Sequence, residues 1–101
     1  MIPFVPIKLD KVYNLRFGMG AAYEFEKLTG IKVTKIDLEN FSITELCQLL
    51  WVMLRRENPS ITLEQTLALV DENADSMANV IEAITGAITA AFVEQEADPN
   101  A

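Results

Sequence analysis

Few residues in this chain are placed to do covalent chemistry, and Ser76 has the most suggestive surroundings. It follows Asp75 at the head of an apolar helical stretch, NADSMANVIEA. A hydroxyl there also suits the start of an ordinary helix. The other candidates are poorer. There is no histidine, which removes the commonest general base and metal ligand. Cys47 is the single cysteine, so neither an internal disulfide nor a thiolate zinc site is available. It lies within the apolar run LCQLLWVML and reads as a buried, inert thiol. No glycine-rich loop precedes a helix in a nucleotide-binding pattern. The fifteen carboxylates fall in no spacing that demands acid–base catalysis. The expectation is a protein that is not an enzyme and takes no cofactor and no metal.

The stretch around Ser76 resembles the D-S-L motif at which acyl carrier proteins take a phosphopantetheine arm. Only 25 residues follow Ser76, too few for the helix, loop and further helices that family places there. Asp75 as a helix cap, with Ser76 in the first turn, accounts for the same residues.

The elements that must position any site read as follows. At 101 residues and 50% hydrophobic content, the chain is one domain with a real core. The run LCQLLWVML is too short to cross a bilayer, which needs roughly 20 apolar residues. Met1 to Pro6 offers no basic region ahead of a long apolar stretch, so no signal peptide is expected. In IKLDKVYNLRF, apolar residues alternate at Ile7 and Leu9, then at Tyr13, Leu15 and Phe17. Period two around Asp10-Lys11 predicts a β-hairpin over 7–17. A first helix is predicted over Met19 to Thr29, with Ala21, Ala22, Phe25 and Leu28 on one face. Gly30 fits the left-handed position that closes a helix, and Ile31 the hydrophobic contact of a Schellman motif. IKVTKID reads equally as a short strand or an extended linker.

The second helix has a capping box, Ser42 and Glu45, and a hydrophobic staple, Phe41 and Leu46. It is predicted to run to about Glu57, with Arg55 and Arg56 in its last turn, until Pro59 forbids continuation. Eight apolar side chains in nine over LCQLLWVML cover nearly the whole circumference, and such a helix is expected to be buried. Thr62 and Gln65 suggest a second capping box, opening a helix to about Glu72 with Leu63, Leu67 and Val70 inward. A break at Asn73-Ala74-Asp75 leads to a final helix over about Ser76 to Gln95. There Met77, Val80, Ile81, Ile84, Ile88, Ala91 and Phe92 recur at helical spacing. A stripe of Ala83, Ala87 and Ala91 permits close helix–helix approach. The fold class is therefore mainly α: about four helices behind an N-terminal hairpin, a helical body over 19–95 and a polar tail over 96–101.

Charge is uneven. Residues 1–35 hold six cations against three anions, a balance of +3, whereas residues 36–101 hold two cations against twelve carboxylates, a balance of -10. An acidic body repels nucleic acid, and the asymmetry favours head-to-tail self-contact.

The order of elements resembles the tail assembly chaperones of long-tailed bacteriophages, prophages and gene-transfer elements. The resemblance covers roughly residues 7–93. It is carried by LRFGMGAAYEFEKLTGI and, more distinctively, by LLWVMLRRENPSITLE, which fits L-L-W-x-x-L-R-x-E-x-P-x-[IL]-T-x-E. The family implies a cytoplasmic, self-associating, non-enzymatic protein of the bacterial host. It binds the tape measure protein, and tail tube subunits, during assembly, and is absent from the finished particle. Many members also have a longer product made by ribosomal frameshifting. No membrane or nucleic acid partner is implied.

Independently, helices two and four carry more apolar circumference than one small core readily absorbs, under an acidic exterior that keeps the remainder dispersed. The candidate partner-binding residues are Trp51, Leu54, Arg55, Arg56, Ile88 and Phe92. Trp51 is either core or an aromatic anchor, and Arg55 and Arg56 are either a solvated helix end or part of the contact. The competing class is a small acidic adaptor or inhibitor acting by protein–protein binding. Asp71, Glu72 and Asp75 cluster, but the remaining carboxylates scatter.

Overall fold

A computed structural model describes residues 1–35 and 40–92. Its elements run β1 (Val5–Lys8), β2 (Val12–Leu15), α1 (Met19–Thr29), a short 3-10 turn (Val33–Lys35), α2 (Ile43–Leu54), α3 (Leu63–Asn73) and α4 (Met77–Phe92). The mainly helical class with an N-terminal hairpin is what the alternation and the caps predict. No helix among the described residues is long and apolar enough to cross a membrane. The predicted tail at 96–101, and residues 93–95 of the predicted last helix, lie outside the described residues.

The hairpin is antiparallel, with Val5 opposite Leu15 and Ile7 opposite Tyr13. Opposed residues share a face, so Ile7, Tyr13 and Leu15 all enter the core. Leu9 belongs to the turn, not to the strand, yet its side chain is buried. The Tyr13 hydroxyl donates to Asp10 Oδ1 at 2.8 Å and ties the turn to the strand. Burial, followed by that hydrogen bond and the Asp10 charge, pushes the Tyr13 phenol up to about 12.

In α1 the buried face is Ala21 and Phe25, with Ala22 partly covered. Leu28 is a correction. It has the right period, but it lies in the last turn, at the rim of a hollow shared with Trp51 and Val52 of α2, and it is exposed. Gly30 closes the helix at φ 76°. Thr29 replaces the expected Schellman bond. Its hydroxyl donates to the Phe25 carbonyl at 2.8 Å and accepts from the Ile31 N–H at 3.1 Å. Within IKVTKID, Val33–Lys35 form the 3-10 turn, pinned by Glu26, whose carboxylate accepts from the Val33 N–H at 2.8 Å; residues 36–37 of that stretch lie outside the described residues.

Both predicted capping boxes form. Ser42 Oγ accepts from the Glu45 N–H and Thr62 Oγ1 from the Gln65 N–H, and each partner side chain reaches back to the cap N–H. α2 ends at Leu54, earlier than Glu57. The chain tightens there, as the Arg56 and Glu57 amides bond three residues back to Met53 and Leu54. Arg55 and Arg56 therefore follow the last turn instead of belonging to it. α3 turns inward the face that holds half-buried Leu63 and Val70, as expected, but Leu67 is not on it. Thr66 is fully buried, Val70 and Leu69 flank it, and Leu67 is exposed. The Thr66 hydroxyl is satisfied locally by the Thr62 carbonyl at 3.0 Å, which is why a polar residue sits there without cost. Ser76, not Asp75, caps α4: its Oγ accepts from the Asn79 N–H at 3.1 Å.

α2 is the central element and touches α1, α3, α4 and β2. Six of its residues are buried, Leu46, Leu49, Leu50, Val52, Met53 and Leu54. α4 lies across the hairpin. Ala83 and Gly86 line its seam with β1, and a Cβ on Gly86 would come only to 3.8 Å from Val5. Of the small residues expected to serve a helix–helix contact, Ala83 thus faces a strand.

Candidate interaction surface

The sequence motif LLWVMLRRENPSITLE folds as one unit. Trp51 projects from α2 towards the loop ahead of α3, and its indole N–H donates to the Ile61 carbonyl at 2.9 Å. Ile61 is itself buried beside the α3 cap Thr62. The tryptophan therefore holds the end of the tight turn that Pro59 enforces, and sets the angle between α2 and α3. One turn on, the Arg55 guanidinium lies 5.3 Å from the Trp51 ring centroid and pairs with Glu24 of α1 at 2.9 Å. Arg56 approaches the same carboxylate at 3.9 Å. Its guanidinium also covers Gly20, where a Cβ would stand 2.8 Å from Nη1. Glu57 Oε1 accepts the outward N–H of Asn14 on β2 at 3.0 Å. R-R-E is thus a clamp joining α2 to α1 and to the hairpin edge.

This separates the candidate residues. Leu54 and Ile88 are each 1% exposed, so neither side chain meets a partner while the fold is intact. Both sit where α2 and α4 enclose the core, at positions the apolar stripe alone does not distinguish from surface ones. Trp51 is partly buried, with its polar edge used internally. Arg55 and Arg56 keep exposed surface while paired with Glu24. Phe92 is 53% exposed, with its ring 6.3 Å from that of Phe17. Of the six, Phe92 offers the most free apolar area.

A second surface was not read from the sequence. α2, α3 and α4 converge on an apolar groove of about 220 Å³. Leu50, Val80 and Ile84 line it, Asp71 stands at its wall, and Ile43, Leu67 and Met77 are exposed around it. Cys47 also lines the groove and is only partly covered; burial, then the charge of Asp71, raises its thiol above the ordinary range. A raised thiol is a poor nucleophile near neutral pH. Exposed Leu67 and Met77 were the available signals, but their period marks them as core. Among the described residues no group of histidine, cysteine or carboxylate side chains is placed to hold a metal.

No family model, curated protein or solved structure matches this chain. What the fold defines is a class: a small, acidic, mainly helical domain with an N-terminal hairpin.

Proposed function

We propose that this protein is a non-enzymatic tail assembly chaperone of a long-tailed phage or related element. It self-associates and holds the tape measure protein, with tail tube subunits as further partners, in the bacterial cytoplasm, and it leaves before the particle is complete. The observation that supports this reading is that the residues of the distinctive segment depend on one another physically. Trp51 bonds the Ile61 carbonyl, Arg55 and Arg56 meet Glu24, and Thr62 with Gln65 restarts the chain as α3. A motif whose members lock one fold is what a non-catalytic family would share. The function also fits the surface. A holder of a long, apolar, helix-rich client needs exposed apolar side chains on a body that stays dispersed, and Ile43, Leu67, Met77 and Phe92 are exposed on a chain of net charge -7.

The alternative, an acidic adaptor or inhibitor, is favoured by one observation: α3 and α4 carry carboxylates and no lysine or arginine. Affinity purification of the tagged protein from cells co-expressing its neighbouring genes separates the two. The chaperone reading expects a very long helical protein, or tube subunits, in the eluate. Recovery of neither, or of an unrelated basic protein in their place, contradicts it.

A further inference from the structure

Among the described residues, α1 carries a stripe that is left exposed. Met19 and Tyr23, one turn apart, are 85% and 63% exposed. Lys27 follows one turn later, its Nζ 5.4 Å from the Tyr23 ring centroid, and exposed Leu28 lies beside it. The stripe is apolar and ends in a cation. The groove between α2, α3 and α4 has the opposite character. Its floor is apolar, and its three helices with the loop before α4 carry Glu45, Glu64, Asp71, Glu72, Asp75 and Glu82. From Ile36 to Ala101 the only cations are Arg55 and Arg56, both held at Glu24 on the α1 side. An occupant of the groove must therefore bring apolar area and its own positive charge. α1 offers both on one exposed helical stripe.

We propose that the Met19–Tyr23–Lys27 stripe of one copy docks into the α2–α3–α4 groove of a second copy, with Lys27 directed at the Asp71 wall. The two surfaces are different patches on different sides of α2, with Trp51, Val52 and Arg55 beside the α1 stripe and Ile43, Cys47 and Leu50 at the groove. The contact is heterologous. Every copy that docks its stripe keeps its groove free, so association continues into a ring or an open chain instead of stopping at a symmetric dimer. The stripe spans only about 15 Å at 1.5 Å per residue, well below a standard interface of roughly 20–30 residues a side. Association is accordingly weak, reversible on dilution and loosened by salt, because its charges are exposed. This deepens the self-association part of the proposed function and stands apart from client holding.

Sedimentation velocity of the intact chain and two variants tests it. Tyr23→Glu spoils the stripe and leaves the groove, whereas Met77→Glu spoils the groove and leaves the stripe. Both positions are exposed, and unchanged circular dichroism verifies the fold. The unaltered chain is expected to grow beyond dimer with concentration and to shrink in high salt. Each variant alone is expected to stay monomeric at those concentrations. Their equimolar mixture is expected to form a dimer and nothing larger, since one intact stripe then meets one intact groove. Lys27→Glu is expected to weaken association, and mixing it with Asp71→Lys to restore it. A strictly monomeric unaltered chain, variants that associate normally, or a mixture that stays monomeric each overturns the proposal. An unaltered chain that is monomeric yet retains a co-expressed tape measure protein overturns this contact alone and leaves the chaperone reading standing.

Discussion

Ser76 shows how much one oxygen decides. Adjacent Asp75 and Ser76 are both competent caps, and composition ranks them almost equally. The Asn79 N–H chooses Ser76. Ser76→Ala is expected to cost about 1 kcal/mol in denaturant unfolding, and Asp75→Ala much less; the reverse order would restore Asp75 as the cap. Trp51 and Leu54 differ in the same concrete way. Leu54→Ala opens a cavity in a closed core and is expected to cost about 2–5 kcal/mol. Trp51→Phe keeps most of the packing but strips the donor from the Ile61 carbonyl, a loss of about 1 kcal/mol. Phe92→Ala, at a half-exposed site, is expected to shift the thermal midpoint far less than Leu54→Ala. Phe92 is therefore the better probe of partner binding.

At the scale of elements, local rules carried furthest where the partners are three or four residues apart. Ser42 with Glu45, Thr62 with Gln65, and Gly30 behind α1 are legible because each cap is completed within one turn of chain. Faces were less legible. Leu28 and Leu67 have core period but stay exposed, and Thr66 has a polar side chain but full burial, because burial is decided by elements distant in sequence. The groove needs three helices to meet, so no single stretch announces it. The hairpin supplies a pH test. The Tyr13 phenol titrates higher in the fold, about 12 against an ordinary 10, chiefly because burial disfavours the phenolate. Stability from this source is fully present below pH 10 and is lost as pH rises towards 12. Thermal melts across that range are expected to fall more steeply for the unaltered chain than for Tyr13→Phe. Parallel slopes would mean that the phenol is not perturbed.

For the whole molecule, the polarity of charge organises the surface. Cations gather on the hairpin, α1 and the end of α2, and carboxylates on α3, α4 and their flanks. The apolar surface left open falls in both halves, at Met19 and Tyr23 on one side and at Ile43, Leu67 and Met77 on the other. The proposed function predicts that what meets this open surface includes a tape measure protein. The direct measurement is the partition of a tape measure protein between supernatant and pellet with and without the chain. It is made in purified components free of nucleotide, because holding by binding alone needs none. The tape measure protein is expected to pellet alone and to stay soluble, in a stable complex, when this chain is present. A tape measure protein that pellets equally in both cases contradicts it.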